Sequence, residues 1–181
     1  NDSDIKKYLD SWYKQNIEAK GLSEYIADAG FCNDRSLSTR ANNGDGVQTT
    51  DKTTFYSGYT RYYETHAPIL TCPNPTNDLF TTSTSNTGNK KLTYPIGLIT
   101  VDELMLGGLS DGYLNRLSYT YSSSSYWTMS PSYFDVTYTS AYEFLASSIG
   151  YAGGTWVTYS YGVRGVINLK ADVQISGGIG T

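Results

Sequence analysis

The chain has 181 residues, 39% hydrophobic and only 17% charged, so its length suits one domain with a real core and its solubilising surface is largely neutral and polar. A net charge of −4 disfavours a nucleic-acid partner, which would need a basic face, and no apolar run approaches the roughly 18 residues of a membrane helix. Fourteen per cent aromatic residues, with 18 Tyr, argue for a folded chain despite the many Ser, Thr, Asn and Gly.

The first predicted element is a helix. Ile5, Tyr8, Leu9, Trp12, Tyr13 and Ile17 recur at helical spacing and form one apolar face for core docking. Ser3 can cap it, Asp4 suits the positive end of the dipole, and Gly21 can end it. Residues 21–31 read as a short strand reaching Phe31 and Cys32, and Leu37 to Asp51 as a polar loop. FYSGYTRYY, Phe55 to Tyr63, is aromatic enough to be partly ordered, and Pro68, Pro73 and Pro75 punctuate the next stretch of chain. In Tyr94 to Gly108, YPIGLITVDELMLGG, Ile96, Leu98 and Ile99 suggest a short buried strand. Thr100 to Glu103 is then a T-x-x-E capping box opening a second helix, with Ile99 and Leu104 as a staple. Capping accounts for Glu103 and dipole complementarity for Asp102, so the pair is not read as a catalytic dyad. Gly107 and Gly108 stop that helix within two turns. The C-terminal third offers strands at Ser125 to Met129, Ala141 to Ser147, Thr155 to Tyr161 and Val163 to Leu169, separated by short polar turns as in antiparallel pairing.

Two cysteines, Cys32 and Cys72, stand outside C-x-x-C spacing, and one His is too few for a usual zinc cluster. A disulfide is the sharper expectation and two buried thiols the blander one. His66 reads as a turn residue, no Ser lies in G-x-S-x-G, and there is no Walker-type phosphate loop. No catalytic residue, cofactor or metal is therefore expected. Without an initiating Met, signal peptide or anchor, residues 1–181 are expected to be a single domain excised from a longer secreted or surface chain. Any membrane association would come only through flanking segments.

Binding fares better. Ser118 to Phe134, SYTYSSSSYWTMSPSYF, carries no charge, and ten of the 18 Tyr fall between Tyr113 and Tyr161. Tyr gives rigid contact area and Ser adaptable hydrogen bonds, the composition of a recognition surface. Tyr126 to Met129 is read as a strand anchored by Trp127 and Met129. Leu117 to Ser125 and Ser132 to Thr139 are read as flanking loops at one ligand face. The expected ligand-binding set is Tyr119, Tyr121, Ser123, Asp135, Tyr138, Tyr142, Thr155, Thr158, Tyr159 and Tyr161. Trp127, Phe134, Phe144 and Trp156 are expected in the core, and Arg164 in a structural contact with a carboxylate or carbonyls.

IKKYLDSWY, FCNDRS, YPIGLITVDELMLGG, YWTMSPSYF and GVRGVINLK, in that order, resemble a family of Gram-positive bacterial surface domains. The likeness covers nearly the whole chain, and the paired FC and TCP cysteines fit it. Family members usually end in GVRPVINLK, where this chain has Gly165. The same order resembles, more distantly, the formylglycine-generating-enzyme type of C-type lectin fold: Leu98 to Leu104 match its capped helix, and Gly162 to Arg164 its GFR-like last strand. That resemblance implies an α+β, C-type-lectin-like domain with two helices and small twisted antiparallel sheets. The surface-domain resemblance implies an extracellular or bacterial cell-surface location, and the neutral Tyr/Ser-rich face is expected to bind a protein or glycan ligand. Nothing matches the enzyme's copper-binding cysteine pair or the calcium-ligating motifs of sugar-binding lectins. Several proteins of this fold are diversified by retroelements that substitute at adenines, and the Tyr, Ser and Thr of this region have that look; relatives often carry Asn where this chain has Thr155, Thr158 and Tyr159. A Ser/Tyr-rich surface also arises without such a mechanism. The expected role is an adhesin-like recognition domain; an enzyme on the same fold or a structural pilin-head domain is the alternative.

Overall fold

The computed structural model describes residues 2–46 and 51–174. Helix α1 spans Asp4–Asn16, with the Ser3 hydroxyl accepting from the Lys6 amide at 3.2 Å. It buries a narrower stripe than the six-residue face expected. Leu9, Tyr13 and Ile17, one i+4 row, lie in the core and Ile5 packs beside them, while Tyr8 and Trp12, the flanking row, stay exposed. The α-helix stops at Asn16, and Gly21, at φ +68°, closes the 3₁₀ turn beyond it.

Residues 21–31 were expected to be strand. They hold a 3₁₀ turn, Ser23–Tyr25, and a single bridge from Ile26 to Leu169. Strand β1 is only Phe31–Cys32. Strand β2, Thr54–Phe55, leads into helix α2, Ser57–Thr60, which continues as one π-helical turn, Arg61–Thr65, ending at His66 in left-handed backbone. From Ser57 onward the aromatic FYSGYTRYY segment is thus helical, and the fold has more helices than the two expected. Helix α3, Pro75–Asp78, runs into β3, Leu79–Phe80, which pairs antiparallel with β1. Cys32 of β1 is bonded to Cys72, with Cα atoms 5.6 Å apart. In the chain-entropy model a loop of this length is worth about 4 kcal/mol. The bond is compatible with an oxidising, extracellular setting, and no described helix is long and apolar enough to cross a membrane.

Helix α4, Val101–Leu106, has the complete capping box: Thr100 Oγ1 accepts from the Glu103 amide, and Glu103 Oε2 accepts from the Thr100 amide. The segment before it is not a strand; Gly97 makes one bridge to Val166 while Ile96 and Leu98 are buried. Three long strands come next as an antiparallel meander: β4 (Tyr126–Asp135), β5 (Ser140–Ala146) and β6 (Ala152–Trp156). With β2 on the outer side of β4, the sheet order is β2-β4-β5-β6.

Two expectations fail here. Ser132 to Asp135 are strand, not loop, and only residues 136–139 turn. Pro131 explains the misreading. It has no N–H to give the ladder, and the register shifts on both sides of it, so the strand is bulged rather than ended. At the C-terminal side, β6 starts at Ala152 and ends at Trp156, and Val163 to Leu169 carries only the two isolated bridges.

Both faces of the four-stranded sheet are covered. Trp127 and Leu145 pack under α1 with Leu9, Tyr13, Ile17, Ile96 and Leu98. On the other face Tyr126, Phe144, Ala146 and Ala152 pack against Tyr62 and the α4 residues Val101 and Leu104. Each fully buried large side chain contributes roughly 1.5–3 kcal/mol. Two segments distant in sequence meet: the Ala27 amide donates to Asn168 O and the Lys170 amide to Tyr25 O. These facts define a mixed α+β domain with antiparallel sheets.

Candidate functional site

The register of the sheet assembles a row of aromatic rings. Tyr133 of β4 lies opposite Tyr142 of β5, and their rings stack at 4.1 Å. Phe55 of β2 lies opposite Tyr133, with ring centroids 5.5 Å apart. Helix α2 adds Tyr59, 4.6 Å from Phe55 and 5.8 Å from Tyr133. On the other side Tyr142 lies opposite Trp156 of β6, at 6.0 Å. Trp156 stacks on Tyr159 at 5.6 Å, Tyr159 reaches Tyr161 at 6.3 Å, and Tyr161 meets Trp127 edge-on at 5.2 Å. The row therefore crosses the sheet on one face, turns its β6 edge, and ends on the α1 face. A tight turn holds the corner: the Tyr159 amide donates to Trp156 O.

The row is most open at that corner, where Trp156 is 37% and Tyr159 49% exposed. Burial, helped by a hydrogen bond with Tyr142, pushes the Tyr133 hydroxyl well above the ordinary phenol range. At the far end Arg40 lies 4.5 Å over the Phe55 ring and is ion-paired with Glu64, so its charge is answered. Such a surface offers flat apolar area and close-range hydrogen bonds, with little long-range field.

A second pair of tyrosines secures the edge strand. Tyr62, fully buried, donates its hydroxyl hydrogen to Ala152 O at 2.7 Å and accepts from the Ala152 amide. The Tyr63 hydroxyl accepts from the Gly154 amide. Backbone groups of β6 that would otherwise lack ladder partners are thus satisfied by side chains from the π-helical turn.

The expected site residues fall into four groups. Tyr142, Tyr159 and Tyr161 are members of the row, and Thr158 is exposed in its corner turn. Thr155 lies opposite Glu143 and by alternation points to the other face of the sheet. Asp135 ends β4 and Tyr138 lies in the β4–β5 turn. The Asp135 carboxylate accepts from the Thr137 and Tyr138 amides, which gives it a turn-forming role, while Tyr138 is exposed. Tyr119, Tyr121 and Ser123 lie before Tyr126, at the opposite end of β4. Tyr119 is 77% exposed beside Arg164, and Tyr121 donates to Ser148 O. Among the described residues the ring row does not pass through Tyr119, Tyr121 or Tyr138. Arg164 Nη1 donates to Thr120 O and its guanidinium lies over Tyr126, the structural contact expected of it.

Sequence reasoning missed Phe55, Tyr59 and Tyr133, and it placed Trp156 in the core. The i+4 spacing of Tyr59 and Tyr63 was a usable signal for the helix. The exposure of Trp156 comes from its place at the end of an edge strand, which depends on pairing rather than on local pattern.

The other polar cluster is internal. Arg61 donates from Nε to Asp102 Oδ1 at 2.6 Å and from Nη2 to Asp102 Oδ2 and Asp34 Oδ2, both at 2.9 Å. Asp102 also accepts from the Ile69 amide and Asp34 from the Ser36 amide. Burial opposes the guanidinium charge, but the two carboxylates outweigh it and hold Arg61 above its ordinary value. Asp102, read from sequence as a dipole partner, is thus a salt-bridge anchor between α4 and the π-helical turn. These residues line a cavity of about 390 Å³ near the disulfide. Among the described residues no group of three or more His, Cys, Asp or Glu side chains could hold a metal ion. Comparison of the chain with protein-family models, curated proteins and solved structures finds no match to any of them.

Proposed function

We propose that this chain is an extracellular, adhesin-like recognition domain that binds a protein or glycan ligand through the ring row, and that it is a binding module rather than an enzyme. The carrying observation is the continuous line from Phe55 through Tyr133, Tyr142, Trp156 and Tyr159 to Tyr161, half-exposed at the β6 edge and free of unanswered charge. Aromatic anchors with polar tips dominate recognition surfaces of this kind. We further propose a C-type-lectin-like fold. The pairing of residues 25–27 with 168–170, the capped short helix and the late antiparallel meander support that reading.

The test is a binding screen of the purified domain against immobilised glycans and displayed extracellular protein domains, at low and high salt. The expected result is a ligand whose affinity changes little with salt and falls at least tenfold, about 1.4 kcal/mol, for Trp156→Ala combined with Tyr159→Ala. A ligand that binds the folded double variant as well as the parent chain would rule out the ring row as the recognition surface.

A further inference from the structure

The α1 face of the sheet, opposite Tyr133 and Tyr142, carries an acid that nothing answers. By alternation Glu143 points away from Tyr142 and Phe144, toward the side where Trp127 and Leu145 pack under α1. There Ser3, Ile5, Leu98, Trp127, Glu143 and Val157 line a cavity of about 260 Å³ that opens to solvent. Glu143 is the one charged residue in its wall. Among the described residues no cation pairs with it and no hydrogen bond reaches its carboxyl.

The neighbouring charges are engaged elsewhere. On α1, Lys6 pairs with Asp10 and Lys7 with Asp4. Arg35, which together with Glu143 acts on Tyr56, is bonded to Asp78. The segments of β4, β6 and the α4 approach that form the wall contribute only Trp127, Thr128, Val157 and Leu98. Desolvation alone pushes the Glu143 carboxyl up to about 8. Glu143 is only partly exposed, and its carboxyl faces a largely apolar cavity with no counter-charge from the fold, a setting that favours a cation entering from outside.

The walls indicate what that partner is. Ile5, Leu98 and Val157 suit methylene groups, and an indole ring attracts an ammonium ion. We propose that this cavity binds an alkylammonium group, either a lysine side chain of a partner or a free aliphatic amine, with Glu143 as counter-ion and Trp127 as the aromatic wall. The site does not depend on the ring row being the recognition surface. Binding a cation requires the ionised carboxylate, so the proton held by the empty site leaves as the amine enters.

That linkage sets the test. The intact, oxidised chain is titrated with n-butylammonium chloride at pH 6.5 and at pH 8.5, following the Trp127 indole resonance by NMR. The amine stays protonated at both values. Raising the pH ionises the empty site, so the affinity should rise on the order of twentyfold. The neutral isostere n-pentanol should show no such rise, and Glu143→Gln should lose amine binding at least tenfold. Binding of Nα-acetyl-lysine N-methylamide as well as n-butylammonium assigns a polypeptide lysine; binding of n-butylammonium alone assigns a free amine. The proposal is overturned by amine affinity that is flat or falls with pH, by pentanol binding equally well at pH 8.5, or by an indole signal unmoved at 100 mM amine, a concentration on the order of a hundred times the millimolar affinity limit of a weak site. Should Glu143→Gln fail to fold, the pH series on the parent chain still decides.

Discussion

Arg61→Met is the substitution that most directly tests how this domain is tied together. Three hydrogen bonds from one guanidinium join Asp102 at the start of α4 to Asp34 beside the disulfide strand. Asp34 and Asp102 are 8% and 4% exposed, so the methionine leaves two carboxylates buried without their counter-charge. Breaking one side of a buried pair costs about 3–5 kcal/mol, far more than the net worth of the pair itself. Urea unfolding with the disulfide intact, followed by circular dichroism and read by linear extrapolation, measures the loss. One control separates charge from packing. The triple variant Arg61→Met, Asp34→Asn, Asp102→Asn should recover more than half of the loss at pH 7. A single variant less than about 1 kcal/mol below the parent, or a triple variant no better than the single, would refute this reasoning about desolvated charge.

Glu143→Gln changes the pH dependence of stability. The folded-state carboxyl titrates at about 8 against an ordinary 4.5, so the folded protein holds more protons between these values and the parent chain loses stability as pH rises through that window. The slope difference from the variant, measured by thermal melts, should reach at most about 1.4 kcal/mol per pH unit and vanish below pH 4.5. Trp127→Ala removes a side chain shared by the α1 core and the Tyr161 contact, and calorimetry should show a loss of about 3–5 kcal/mol. Tyr62→Phe leaves the Ala152 carbonyl and amide without their hydroxyl partner; chemical denaturation should show a cost of about 1–3 kcal/mol, and the Ala152 amide should exchange faster with solvent.

The parts of the fold legible in the sequence are those fixed by local chemistry. The Leu9, Tyr13, Ile17 stripe, the Thr100–Glu103 capping box and the alternating run that became β5 each depend on residues a few positions apart. The Cys32–Cys72 bond was legible for a different reason, since two isolated cysteines leave one pairing. What stayed hidden depends on partners distant in sequence. Nothing near Pro131 says that β4 survives its missing donor; the paired strands on either side carry it through. Nothing near Tyr142 says that Tyr133 and Trp156 flank it, because register is set by the whole meander. The Arg61–Asp102 contact joins residues forty-one positions apart, and local capping rules already gave Asp102 a sufficient role. The ring row therefore emerges only when strands that each look ordinary are laid side by side.

The measurement that bears most directly on the recognition surface compares two double variants against one ligand from the binding screen. Trp156→Ala with Tyr159→Ala removes the open corner of the ring row; Tyr119→Ala with Tyr121→Ala removes the tyrosines at the other end of β4. Isothermal titration of both, with folding verified by circular dichroism, gives the affinities. Recognition through the ring row predicts at least a tenfold loss for the Trp156 and Tyr159 pair and less than about threefold for the Tyr119 and Tyr121 pair. Equal losses, or a larger loss at Tyr119 and Tyr121, would place recognition on the Ser-rich loop and contradict the ring row as the binding surface.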